Sequence, residues 1–106
     1  MAYSTTADVK LVLHTTESTW DTEIGGCITS ADALIDSLLK KQGLTVPTPT
    51  PQNINDASKH FAAWLFRRRL DPAGAEAFWK EGDRFLQVYI DAELEEEDVP
   101  FRAVQA

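Results

Sequence analysis

The sequence predicts an all-α fold: a small four-helix bundle with a short N-terminal helix, a proline-rich loop between helices two and three, and a flexible acidic C-terminal tail. Three observations predict it. Four segments repeat apolar residues at three- and four-residue steps. Helix start and stop signals fall at the edges of those segments. No segment reads as a convincing strand.

The first helix is expected from about Thr6 to His14. Thr5 and Asp8 have the spacing of a capping box, in which each side chain satisfies an amide that the helix start leaves free. Val9, Leu11, Val12 and Leu13 are its apolar residues, and a helix this short must dock on something to persist. The second is expected from about Trp20 to Lys41, with start signals at Ser18, Thr19 and Asp21. Ile24, Cys27, Ile28, Ala31, Leu34, Ile35 and Leu38 make one buried stripe. Gly25 and Gly26 weaken its first turns by about 1 kcal/mol each relative to Ala, and glycines can also admit a neighbouring backbone. Lys40 and Lys41 suit the last turn, where cations are favoured, and Gly43 ends it.

Leu44 to Asn53 form a loop that Pro47, Pro49 and Pro51 bias towards an extended, polyproline-like path. Such a loop loses little entropy when a partner orders it. The third helix is expected from Pro51 or Gln52 to Leu70, with Thr50 as cap and Pro51 in the first turn. Ile54, Ala57, Phe61, Trp64 and Leu65 form its inner stripe, and Arg67, Arg68 and Arg69 close it. Asp71-Pro72 then caps and starts a fourth helix, expected to run to about Glu95. The short turn makes helices three and four a hairpin. Phe78, Phe85, Tyr89 and, through Gly82, the intervening turn share one stripe, flanked by Trp79, Leu86 and Ile90. So wide an apolar arc implies contacts on two sides.

The chain has 106 residues and 43% hydrophobic composition, enough for one domain with a thin core. Residues 1–96 form the expected helical domain and residues 97–106 its tail. The net charge of −7 is unevenly placed. Asp91, Glu93, Glu95, Glu96, Glu97 and Asp98 lie together with no base among them, and the rest is nearly neutral. Acids at a helix C-terminus oppose the helix dipole and repel one another, so that end is expected to fray. The tail nevertheless carries Val99, Phe101 and Val104, apolar residues that a free tail does not need. A dedicated nucleic-acid binder would instead show a basic stripe. No basic region followed by an apolar run opens the chain, and no apolar stretch approaches the roughly 20 residues that span a bilayer. These features predict a soluble, intracellular protein.

No catalytic constellation, cofactor motif or metal motif is found, so no enzyme activity and no cofactor are expected. Cys27 lies on an apolar stripe, where a free cysteine packs as a small apolar residue. His60 and His14 read as structural. Asp32 and Asp36 share a helix face and could hold a metal, but a solvated surface is the weightier reading. The arginine run Arg67-Arg68-Arg69 is the best local candidate for a contact. A basic helix end that suits its own dipole is the first reading. Pairing with acids on a neighbouring copy is the second, and phosphate contact the third. Of the tryptophans, Trp64 and Trp79 read as core and Trp20 as the one exposed.

Several phrases together resemble a known family. They are Tyr-x-Thr-x-Ala-Asp-Val-Lys at Tyr3 to Lys10, Trp-Asp-Thr-Glu-Ile at Trp20 to Ile24, and Ser-Ala-Asp-Ala-Leu-Ile-Asp at Ser30 to Asp36. A proline loop follows, then Ala57 to Arg69 and a last helix of aromatic and acidic residues. The pattern, over roughly residues 3–95, resembles the head–tail connector adaptors, or head completion proteins, of long-tailed phages and prophages. The resemblance implies a helical bundle that assembles as a ring, typically twelve-fold, beneath the portal. That ring extends the DNA channel and docks the next neck or tail protein. It implies a location at the head–tail junction of the virion, and in the host cytoplasm during assembly. The portal and the neck or tail connector proteins are the implied partners, with no membrane and no sequence-specific nucleic acid. A free subunit can stay monomeric until a template recruits it. Subunit contacts are then expected between Arg67, Arg68 or Arg69 of one copy and Glu95, Glu96 and Glu97 of the next. Portal or stopper contacts are expected at Val46, Pro47, Pro49, Val99, Phe101 and Val104. The main competing function is a small helix-turn-helix DNA-binding regulator. Its reading helix would be helix four, which sets Glu76, Glu81 and Asp83 against only Lys80 and Arg84.

Overall fold

Each helix begins where the chain can satisfy, or leave in water, the amides that a helix start exposes. The computed structural model describes the backbone of residues 2–105 and the side chains of residues 2–94. Its four helices are α1 (Thr6–Leu13), α2 (Asp21–Lys41), α3 (Gln52–Arg67) and α4 (Pro72–Gln105), and no strand is present among the described residues. The chain is all-α, as the sequence predicts.

α1 opens with the expected capping box. The Asp8 amide donates to Thr5 Oγ1 at 3.2 Å, and the Thr5 amide donates to Asp8 Oδ2 at 3.0 Å. It closes at His14, which adopts the left-handed conformation at φ 59°. Val9 and Leu13 are buried and Val12 half-buried, while Leu11 is 75% exposed. One short helix can bury only one face.

α2 buries Ile24, Ile28, Ala31, Ile35 and Leu39, close to the expected stripe. Its start differs from expectation. Trp20 occupies the cap position and no side chain caps the helix. Its end is a Schellman motif: the Leu44 amide donates to Leu39 O at 2.9 Å and the Gly43 amide to Lys40 O at 3.0 Å. Gly43 has φ +73°, a conformation that costs an L side chain roughly 1–2 kcal/mol. The loop after it turns Leu44 and Val46 back onto the core and leaves Pro47 and Pro49 exposed. The Thr48–Pro49 bond within it is cis.

α3 starts at Gln52, within the expected bounds, with Pro51 rather than Thr50 as the cap residue, and it stops at Arg67 rather than Leu70. The amides of Leu70 and Asp71 both turn back to Arg67 O, which closes the helix and starts the turn. Asp71 then caps α4 as expected, accepting from the Gly74 amide at 3.0 Å. Within α3, Ile54, Ala57, Phe61, Ala62 and Ala63 are buried, whereas Trp64 and Leu65 are half-buried.

α3 is the centre of the bundle. It packs against α4 along its length, against α2, and against α1. Phe61 is fully buried and lies over Gly82 of α4, while Trp79 stacks on both Phe61 and Trp64 with centroids 4.9 and 4.7 Å away. Leu86, Tyr89 and Ile90 are the buried residues further along α4, with Phe78, Trp79 and Phe85 packed at the margin. Of the expected stripe, Gly82 and Tyr89 are buried and Phe78 and Phe85 half-buried, while the flanking Leu86 and Ile90 are buried as well, so the buried line widens towards that flank.

α4 has 34 residues against 16 in α3. At about 1.5 Å per residue it is roughly twice as long, and the molecule measures 55 × 29 × 20 Å. The sequence places the end of α4 near Glu95 with a tail from Glu97; the helix as described runs to Gln105.

A Cβ added at Gly82 would stand 2.8 Å from Cδ1 of the Phe61 ring, whereas one added at Gly25 meets nothing within 4 Å. Both substitutions gain about 1 kcal/mol of helix propensity. Overpacking a buried ring costs about 1–3 kcal/mol. Chemical denaturation should therefore find Gly82→Ala destabilised and Gly25→Ala stabilised by roughly 0.5–1 kcal/mol.

Candidate functional site

The α3–α4 turn gathers the residues that the core does not use. Three arginines follow one another at the end of α3, and each has a different fate. Arg69 is held within the chain: its Nη1 lies 2.8 Å from Glu23 Oε2 on α2, its Nε donates to Phe66 O, and its guanidinium lies 4.7 Å over the Phe66 ring. Arg68 is exposed and stacks 4.5 Å over the Trp64 ring. Arg67 is half-buried at the edge of a small apolar cavity. Among the described residues, Arg67 and Arg68 enter no ion pair. The run therefore does not act as one block, because successive helix residues point in different directions.

The cavity measures about 140 Å³ and is lined by Leu13, Thr15, Trp20, Phe66, Arg67 and Leu70. Trp20 meets Phe66 edge-on, with centroids 5.9 Å apart. Leu70 is 80% exposed and Trp20 39%. The exposure of Trp20 agrees with the sequence expectation. That of Leu70 was missed, since it depends on α3 stopping at Arg67.

The acidic segment lies towards the opposite end of the hairpin. α3 and α4 are antiparallel, with Trp64 beside Trp79, Phe61 beside Gly82 and His60 beside Phe85. Running on in that register, α4 carries residues 95–105 away from Arg67. The side chains expected to make contacts there (Glu95, Glu96, Glu97, Val99, Phe101 and Val104) lie outside the described residues. Of the loop residues expected at a partner surface, Pro47 and Pro49 are exposed. Val46 packs inward near Tyr3, Leu39 and Leu44.

A buried polar cluster joins the N-terminal segment to α2 and α3, and here the sequence expectation is corrected. Asp32 was expected on a solvated face but is buried at 8% exposure. Its Oδ1 accepts from Ser58 Oγ at 2.6 Å and its Oδ2 from the Tyr3 amide at 2.9 Å. Ser58 in turn lies 2.6 Å from Ser4 Oγ, and Asn55 Nδ2 donates to Tyr3 O and Asp8 Oδ2. The signal for this cluster was Ser58, a polar residue on the inner stripe of α3.

Burial pushes the Asp32 carboxyl above its ordinary range, against the opposing effect of the bonds from Ser58 and Tyr3. Burial also raises Asp8, but the hydrogen bonds from Thr5 and Asn55 outweigh it and leave that carboxyl below its ordinary value. The Tyr3 hydroxyl, partly buried and donating to Asp36 Oδ1, is pushed up to about 12. Burial also raises the half-buried Cys27 thiol, which disfavours the thiolate. His60 places Nδ1 2.7 Å from Asp56 O and packs on Phe85.

Among the described residues no three His, Cys, Asp or Glu side chains are grouped to hold a metal ion, and no helix is long and apolar enough to cross a membrane. Comparison of the chain with models of protein families, with curated proteins and with solved structures gives no match.

Asp32→Ala should destabilise the fold by about 1–3 kcal/mol, because the Tyr3 amide and the Ser58 hydroxyl lose their acceptor. Asp32→Asn should cost less, since its carbonyl can still accept and its amide can donate to Ser58. The raised Asp32 makes the folded chain bind this proton more tightly than the unfolded one. Its ionised form opposes folding above the folded pKa, and that opposition is relieved as pH falls towards the unfolded value of about 3.9. In thermal melts the wild type should gain on Asp32→Asn as pH drops from neutral to about 4.

Proposed function

We propose that this chain is a head–tail connector, or adaptor, subunit of a long-tailed phage or prophage. In this role it assembles as a ring beneath the portal, extends the DNA channel and docks the next neck or tail protein. The observation that carries the proposal is the polarity of the α3–α4 hairpin. Arginines and exposed apolar side chains sit at its turn, and the acidic run of α4 lies towards the other end. Unlike surfaces at opposite ends suit head-to-tail contacts, which close into rings when the rotation permits. The phrases between Tyr3 and Arg69 that resemble the connector family support the same role. No match to a known protein supports it.

In this proposal Arg67 and Arg68 of one copy meet Glu95, Glu96 and Glu97 of the next, while Arg69 keeps its bond to Glu23. The exposed Pro47 and Pro49 face the portal or stopper. The helix-turn-helix alternative fits less well. α4 packs along α3 rather than crossing it, and its exposed residues include Glu76, Glu81 and Asp91, with Arg84 bound to Glu81 at 2.8 Å.

Native mass measurement of the chain with its cognate portal should give a closed ring of many copies. Reversing Glu95, Glu96 and Glu97 to Lys should weaken that ring, and so should added salt, because charge pairs near the surface are screened. A ring mass unchanged by both treatments would exclude the charge contact. A gel shift at low salt with a defined DNA duplex, and no ring with portal, would favour the regulator.

A further inference from the structure

The cavity at the α3–α4 turn is shaped for a single apolar side chain and rimmed for an acidic one. Leu13 and Phe66 form its floor, Trp20 and Leu70 its exposed walls, and Arg67 its rim. Its volume is about 140 Å³, and it opens to the surface. Leu70 and Trp20 are among the most exposed large apolar side chains of the molecule, and both belong to this one feature.

We propose that this cavity is a socket for the C-terminal segment, residues 95–106, of a second copy of the chain, with Phe101 or Val99 entering it and Glu95–Asp98 meeting Arg67 and Arg68. This deepens the connector proposal by naming the contact that joins neighbouring copies, and it assigns Val99 and Phe101 to a sister subunit rather than to the portal.

Three observations select that occupant. The first is charge. Glu95, Glu96, Glu97 and Asp98 stand directly before Val99, Pro100 and Phe101, so acids adjoin apolar residues in the segment as the arginines adjoin the apolar floor in the socket. The second is availability, because Arg69 is engaged by Glu23 whereas Arg67 and Arg68 pair with nothing among the described residues. The third is direction. α4 starts at the socket's own turn and remains helical to Gln105. By Leu94 it has travelled about 33 Å from Pro72 at 1.5 Å per residue. The segment therefore points away from the socket of its own chain, which leaves that socket to a second copy.

A fluorescently labelled peptide of residues 93–106, titrated with the full-length chain and read by anisotropy, tests this directly. Saturable binding is expected, weakened at least tenfold by Leu70→Glu and by the double change Arg67→Glu with Arg68→Glu. Leu70 and Arg68 are exposed and Arg67 is half-buried, and far-UV circular dichroism checks that the helices persist. Phe101→Ala in the peptide, which needs no folding control, should weaken binding by a similar factor. Added salt should weaken the wild-type interaction. No binding, equal binding to the Leu70→Glu chain, or equal binding of a scrambled peptide would overturn the socket. The two proposals fail separately. A ring that forms on the portal with Leu70→Glu subunits removes the socket and leaves the connector. Peptide capture by the socket without any ring on the portal removes the connector and leaves the socket.

Discussion

A missing side chain sets the geometry of this protein. At Gly82 the backbone of α4 comes close enough for the Phe61 ring to lie on it, and a single added carbon would collide with that ring. The close approach fixes the register of the α3–α4 hairpin. Trp79 then falls between Phe61 and Trp64, and Leu86, Tyr89 and Ile90 fall on the inner face. Because α3 also carries the contacts to α1 and α2, its position on α4 propagates to the whole bundle. A thin core of this kind has little redundancy. The loss of one well-seated ring is felt by every helix that α3 touches.

The second organising feature is polar. Asp32 and Ser58 sit among apolar neighbours and draw in Ser4 and the backbone of Tyr3. The segment before α1 is thereby tied to two helices that are distant in sequence. α1 is short and buries few residues, so these hydrogen bonds help to hold in place what its own apolar face cannot. The cost is a carboxylate kept out of water, visible in the raised Asp32 pKa. A buried polar group is tolerated where its partners are present, and it discriminates against arrangements that leave them unpaired.

Once the core is satisfied, the remaining surface is uneven. Arg69 and Glu23 close one pair, and Lys10 and Asp21 close another. Arg67, Arg68, Trp20 and Leu70 remain at the hairpin turn without comparable partners among the described residues. The acids of α4 are strung out in the other direction. A molecule whose basic, apolar turn and acidic segment lie apart along one helix can join unlike surfaces of neighbouring copies. That asymmetry links the fold to the connector role proposed for it.

Local signals were legible in the sequence. The Thr5–Asp8 capping box, the glycine stop at Gly43 and the Asp71-Pro72 start of α4 each depend on residues a few positions apart, and each is present. The helical spacing also determined the all-α class and most of the buried stripe of α2. Three things were decided only by tertiary structure. Asp32 became a buried anchor because Ser58 and Tyr3, far off in sequence, converge on it. Leu86 and Ile90, on the flank of the expected α4 stripe, joined Gly82 and Tyr89 inside because Gly82 lies against Phe61. The arginine run divided into one paired and two available side chains because Glu23 of α2 faces only Arg69. A sequence fixes which residues a helix can bury and where it can start. Which of those faces is covered, and by what, depends on neighbours that only the folded chain brings together.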